Sequence, residues 1–139
     1  MHQIIFVGSE DEVSDLELDE NPADSFPCMS SQQYFRDARA QLYSIVSGVF
    51  LDEALEMENV FKALTEEGPF IYRLDREMQE QLARLDEDAI AEYAELWVEC
   101  EEIEQLDTEV NDLYEFLYGL VHFCLTAQDE DMGVFIYSD

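Results

Sequence analysis

The chain has 139 residues, a length that suits one domain and would cramp two. Its 35 acidic residues against six basic ones give a formal net charge of -29. A chain so charged repels bare DNA, RNA and anionic membrane surfaces and attracts basic proteins, polyamines or metal cations. Hydrophobic residues at 47% and aromatics at 12% supply a core, which excludes a disordered acidic tail.

In chain order, "QIIFV" at 3–7 predicts a short strand, being β-branched and aromatic with Gly8 after it. The acid-rich, proline-terminated stretch 9–27 reads as a loop. Ser30 or Ser31 caps an expected helix reaching about Gly48, with Phe35, Ala38, Leu42, Ile45 and Val49 on its apolar face. A second helix is expected from Asp52 to Thr65, packed by Leu55, Met57, Phe61 and Leu64 and ended by Gly68-Pro69. "FIYR" at 70–73 is β-prone, and Asp75 caps a further helix through Leu85, packed by Met78 and Leu82.

The segment 86–105, "DEDAIAEYAELWVECEEIEQ", holds nine carboxylates and no Lys or Arg. Read as one helix, it buries Ile90, Tyr93, Trp97 and Cys100, flanked by Ala89, Leu96 and Ile103. Asp88, Glu92, Glu95, Glu99 and Glu102, spaced four and three apart, line the opposite side. The stretch 106–127 repeats Leu106, Val110, Leu113, Leu117, Leu120, Cys124 and Ala127 at the same spacing and is apolar nearly all round from 113 to 125, the mark of a central helix. "GVFIY" at 133–137 predicts a closing strand able to pair with 3–7 or with 70–73. The expected fold is therefore mainly α: one domain over 1–139, a compact bundle of about five helices with a small β-sheet from short strands near both termini.

Cys28, Cys100 and Cys124 are odd in number and form no C-x-x-C pair, which excludes a zinc knuckle or thioredoxin-like motif and suits free thiols in a reducing cytosol. The N-terminus lacks the basic region of a signal peptide, and the longest near-apolar stretch, 116–127, is too short to cross a bilayer. A cytoplasmic location is the expectation.

Catalytic patterns are scarce. There is no G-x-S-x-G and no glycine-rich phosphate loop, and His2 is the only histidine besides His122. Glutamates around Cys100 raise its pKa and blunt it as a nucleophile. Glu115 and His122 share a face of the 106–127 helix, about 10 Å apart along its axis, with Gly119 leaving a notch between them. A carboxylate and an imidazole facing a notch suit acid–base work or a shared metal. The plainer reading of that stripe is the solvent-facing edge of a buried helix. "SEDEVSDLELDE" and "QDEDMG" carry calcium-type oxygen ligands, but neither follows the EF-hand spacing.

The acid surface is the stronger signal. All six basic residues lie between 36 and 84, so the eight acids of 1–35 and the seventeen of 85–139 have no neighbouring counter-charge in sequence. Five carboxylates over fourteen residues give one charge per roughly 5 Å of helix axis, near the one phosphate per about 3.4 Å of a DNA strand. In charge density on a compact, mostly helical chain, the protein resembles small acidic inhibitors: nucleic-acid mimics such as anti-restriction and anti-CRISPR proteins, and immunity proteins for nuclease toxins. The likeness is one of composition, so no site position follows from it.

The expected function is a non-enzymatic inhibitor that blocks a basic, nucleic-acid-handling partner protein such as a nuclease, without binding nucleic acid, membrane, metal or cofactor itself. Asp88, Glu92, Glu95, Glu99 and Glu102 are the expected contact residues, with Glu87, Glu101 and Glu104 widening the band. The alternatives are a metal-binding protein or small enzyme built on Glu115 and His122, and an acidic structural domain adapted to high salt.

Overall fold

A computed structural model of the chain describes residues 3–30 and 34–138. The elements are β1 (Gln3–Gly8), α1 (Glu10–Ser14), α2 (Pro22–Ser25), β2 (Cys28–Ser30), α3 (Arg36–Ser47), α4 (Leu51–Leu55), β3 (Glu58–Ala63), β4 (Phe70–Leu74), α5 (Arg76–Ala83), α6 (Glu87–Val98), α7 (Glu101–Glu104), α8 (Val110–Asp129) and β5 (Gly133–Ser138). The strands form one antiparallel sheet in the order β2-β1-β5-β4-β3.

This corrects the expected fold class. The chain is α+β, with 53% of the described residues helical and 20% in strands, and with a five-stranded sheet at its centre. The terminal strands are the middle of that sheet: β5 pairs with β1 on one side and β4 on the other, so both pairings open to "GVFIY" are used. The largest misreading is 52–65. Only Leu51–Leu55 is helical, and Glu58–Ala63 is β3. The β3 register steps from Val60↔Tyr72 to Lys62↔Ile71, leaving Phe61 as the extra residue of a bulge. That bulge interrupts the period-2 alternation that would have marked a strand. Gly68, at φ 99, lies in the β3–β4 connection instead of ending a helix.

The sheet is buried on both faces, as the unbroken burial of β1 shows. Ile5, Val7, Leu74, Val134 and Ile136 face a helical layer that includes Leu42, Met78, Leu82, Trp97, Leu117 and Leu120. Phe6, Ile71 and Phe135 on the other face are covered by Val13, Leu16, Phe26 and Phe61. The segment expected as a loop over 9–27 thus contains α1 and α2 and lays three apolar side chains, Val13, Leu16 and Phe26, onto the sheet. Two cations hold it there. The Lys62 ammonium donates to the carbonyls of Ser14 and Leu16 at 2.5 Å each, and Arg73 ion-pairs with Glu10.

The helical layer follows the sequence more closely. Gly48, at φ 79, caps α3, and the Asp75 carboxylate accepts from the Met78 N–H to start α5. Ser30, expected to cap α3, lies in β2, and α3 begins after Phe35; Ser31 is outside the described residues, as is His2. The α8 positions Leu113, Leu117, Leu120, Cys124 and Ala127 are buried, while Val110 is exposed.

Beneath the helices lies a buried polar cluster that the sequence did not signal. The Arg39 guanidinium donates to both Glu58 carboxylate oxygens at 2.8 Å, to the Gln3 side-chain oxygen at 2.7 Å and to the Tyr34 carbonyl at 2.7 Å. The Tyr43 hydroxyl donates to Glu58 at 2.5 Å. Arg39 and Glu58 are 1% and 2% exposed, so each is tolerable only because the other is present. Burial opposes the Arg39 charge, but Glu58 and Tyr43 outweigh it and hold its pKa above the ordinary arginine value.

Candidate acidic interaction surface

The acidic band starts from a conventional helix beginning. Asp86 caps α6 by accepting from the Ala89 N–H at 2.8 Å, and Glu87 and Asp88 in the first turn face the positive end of the helix dipole. Ile90, Ala94 and Trp97 anchor the opposite face, and the Trp97 indole N–H donates to the Ala38 carbonyl at 2.9 Å. Tyr93 is half-buried, and Leu96, expected inside, is 45% exposed.

The helix ends earlier than the sequence suggested. Glu99 is its C-cap, and after Cys100 the chain starts the separate turn α7. The cause is geometric. At about 100° per residue, a continuous helix would aim Ile103 some 140° away from Ile90, into solvent. The break turns Ile103 inward, where it is fully buried.

The acid array is divided accordingly. Asp88, Glu92 and Glu95 are exposed along α6 and Glu99 is exposed at its end. Glu102 lies on α7, half-buried and outside the line of the other four. Of the flanking acids, Glu87 is exposed in the first turn of α6, and Glu101 and Glu104 are exposed on α7. Cys100 sits at the junction with its thiol pKa raised by burial and then by Glu99 and Glu104.

Little in the protein neutralises this surface. Arg39 is bound to Glu58, Arg73 to Glu10, and Lys62 to two carbonyls; Arg36 donates to the Leu55 carbonyl at 2.7 Å and lies over the Tyr72 ring. Among the described residues, Glu58 and Glu10 are the only acids in ion pairs, and Arg76 and Arg84 are the only cations without such a contact. No described helix has a basic residue in its last turn, while acids cap the C-termini of α1, α4, α6 and α8. Negative charge at a helix C-terminus opposes the dipole and local stability. A second acidic surface lies across the sheet, where Glu12, Asp15, Glu17, Asp19, Glu20 and Asp24 are exposed on the 9–27 segment.

The Glu115 and His122 pair is placed differently from the notch reading. Both are exposed on α8, but the space beside Gly119 is occupied by Met29 of β2, whose methyl lies 3.3 Å from where a Cβ would stand. His122 packs edge-on against Tyr118 at 4.5 Å, and Tyr118 stacks with Tyr114. Among the described residues, no three or more His, Cys, Asp or Glu side chains are grouped so as to hold a metal ion. A cleft of about 580 Å³ lies elsewhere, between α1, α5 and the α8–β5 turn. It is lined by charges of both signs, Arg73 and Arg76 beside Glu10, Asp11, Glu80 and Asp131.

No described helix is long and apolar enough to cross a membrane. No protein-family model, curated protein or solved structure matches the chain.

Proposed function

We propose that this chain is a non-enzymatic, cytoplasmic inhibitor that occupies and blocks a basic, nucleic-acid-handling site on another protein. The observation that carries the reading is the charge balance. Four of six cations are committed to internal contacts, and the carboxylates of α6 and α7 have none. Glu99 at the C-cap also opposes the α6 dipole, and the acids lie beside one another, where like charges reduce the stability of the free protein. A cationic groove supplies the missing counter-charges, and the complementary fields speed encounter. Asp88, Glu92, Glu95 and Glu99 form the central contact, with Glu102 at its margin and Glu87, Glu101 and Glu104 alongside. The class includes nucleic-acid mimics of the anti-restriction or anti-CRISPR kind and immunity proteins for nuclease toxins.

Capture from the native host at low and moderate salt tests it. Recovery of a nuclease or other nucleic-acid-binding protein, lost when the five acids become Asn or Gln, supports the proposal. A partner that holds the neutralised chain equally well overturns the contact assignment. Stability that climbs steeply into molar salt, with no basic partner recovered, favours adaptation to high salt instead.

A further inference from the structure

The most exposed large apolar side chain among the described residues is Phe50, at 82%, and Leu51 beside it is 42% exposed. Isolated surface hydrophobes are common and need no explanation. Phe50 differs from Leu18, Val60, Leu96, Tyr118 and Leu125 in where it stands. It is the N-cap of α4, with extended backbone at φ -69 and ψ 156, and its side chain makes no capping bond. Ser, Thr, Asp and Asn stabilise that position; phenylalanine does not. Its side chain therefore neither caps the helix nor joins the core.

The corner that presents it is firmly built. Gly48 closes α3 in the left-handed conformation with its N–H on the Ser44 carbonyl. The Ser44 hydroxyl donates to the Val49 carbonyl at 2.6 Å. The Phe50 carbonyl accepts from the N–H groups of Glu53 and Ala54 at 3.1 and 3.0 Å. An aromatic side chain on a pre-ordered backbone loses little freedom when a partner covers it, which is the character of an interface anchor. Exposed Asp52, Glu53 and Glu56 follow within the same two turns, so the apolar tip is fringed by negative charge.

We infer that Phe50 and Leu51 form a protein-docking anchor that enters an apolar pocket rimmed by Lys and Arg on a basic partner protein. The fringe sets the chemistry of that rim. A second copy of this chain, itself at net charge -29, would bring like charges together. Bare nucleic acid offers neither the pocket nor the sign. The inference deepens the proposed function: an anchor adds a salt-resistant component to binding that carboxylates alone lack.

The test compares wild type, Phe50→Ser and the chain with its five band acids neutralised. Thermal unfolding comes first, since it needs no partner. Phe50→Ser places a capping hydroxyl where an exposed ring stood, so its Tm is expected at or above that of wild type. A drop of several degrees makes Phe50 a structural residue and overturns the inference. Sedimentation in about 0.5 M NaCl, where the Debye length falls to roughly 4 Å, is expected to show a monomer. A wild-type dimer lost in Phe50→Ser assigns the surface to a second copy, against the inference.

The binding arm captures proteins from the native host at that same salt, then purifies the basic protein recovered and titrates it with all three chains. The expected loss for Phe50→Ser is roughly 30-fold or more, the scale of an interface hot spot. Equal binding by Phe50→Ser overturns the anchor, as does wild type retaining no basic protein at that salt. Loss on neutralising the acids but not on Phe50→Ser leaves the proposed function standing and removes the anchor. The reverse pattern keeps the anchor and removes the acid band.

Discussion

Replacing Glu58 by Gln keeps the shape of the buried cluster and removes its negative charge. Arg39 then lies 1% exposed with no carboxylate, its bidentate contact at 2.8 Å reduced to an amide, and the Tyr43 hydroxyl loses a charged acceptor at 2.5 Å. Breaking a buried ion pair from one side costs about 3–5 kcal/mol, and the amide oxygen recovers part of it, so about 3 kcal/mol is expected. That is a large fraction of the roughly 5–15 kcal/mol available to a domain, and self-repulsion has already reduced it. Urea unfolding followed by the fluorescence of Trp97, the single tryptophan, measures the loss directly, because that indole is buried and hydrogen-bonded in the fold. The double change Arg39→Met with Glu58→Leu removes both charges and should recover part of the lost stability, less than for an isolated pair, because the Gln3 oxygen and Tyr34 carbonyl lose Arg39 as a donor and the Tyr43 hydroxyl loses its acceptor. Glu58→Gln within about 1 kcal/mol of wild type would refute the reasoning, since a buried guanidinium that has lost its carboxylate cannot be so well tolerated.

Burial, then the Glu58 charge and its hydrogen bond, raise the Tyr43 pKa well above the ordinary value, with Arg39 opposing. A raised folded-state pKa stabilises below the unfolded value of about 10 and loses that contribution as pH climbs past it, so Tyr43→Phe should flatten the alkaline limb of a stability–pH profile. Thiol titration should find exposed Cys28 reacting first and Cys100 more slowly, its pKa raised by burial and nearby glutamates; Cys124, buried and strongly raised, should react only on unfolding. Lys62→Met removes both donors to the Ser14 and Leu16 carbonyls, and hydrogen exchange over residues 10–20 should quicken while the helical layer stays protected. Gly119→Ala gains helix propensity of about 1 kcal/mol against a flexible Met29 side chain that can move by a few tenths of an ångström, so stability should hold or rise.

What could be read in the sequence was local. The caps at Asp75 and Gly48, the buried stripe of α8 and the β character of both termini follow from short-range pattern, and the structure keeps them. What could not be read depends on distant partners. Glu58 looks like one acid among many until Arg39, nineteen residues earlier, is folded against it. Leu55, Met57, Phe61 and Leu64 suit a helix or a bulged edge strand, and pairing with β4 decides for the strand beyond residue 57. In the acid band, the spacing of Asp88, Glu92, Glu95 and Glu99 was legible because it repeats α6's own period. Glu102 left the line because Ile103 had to reach the core, a demand that carboxylate spacing does not carry. Phe50 falls outside every apolar and acidic pattern of the sequence, though a large aromatic directly before an acidic helical turn, where a cap residue belongs, is a visible signal.

The central claim is that the unpaired carboxylates of α6 and α7 meet cations on another protein. Its most direct test is the affinity of the purified partner for wild type and for the chain with Asp88, Glu92, Glu95, Glu99 and Glu102 neutralised, measured across about 0.05–0.3 M salt. The account predicts steep salt weakening for wild type. It predicts a shallower slope for the variant and a loss of roughly 50–100-fold at the lowest salt, from about 0.5 kcal/mol per carboxylate. Identical affinities and identical salt slopes for the two chains would contradict it.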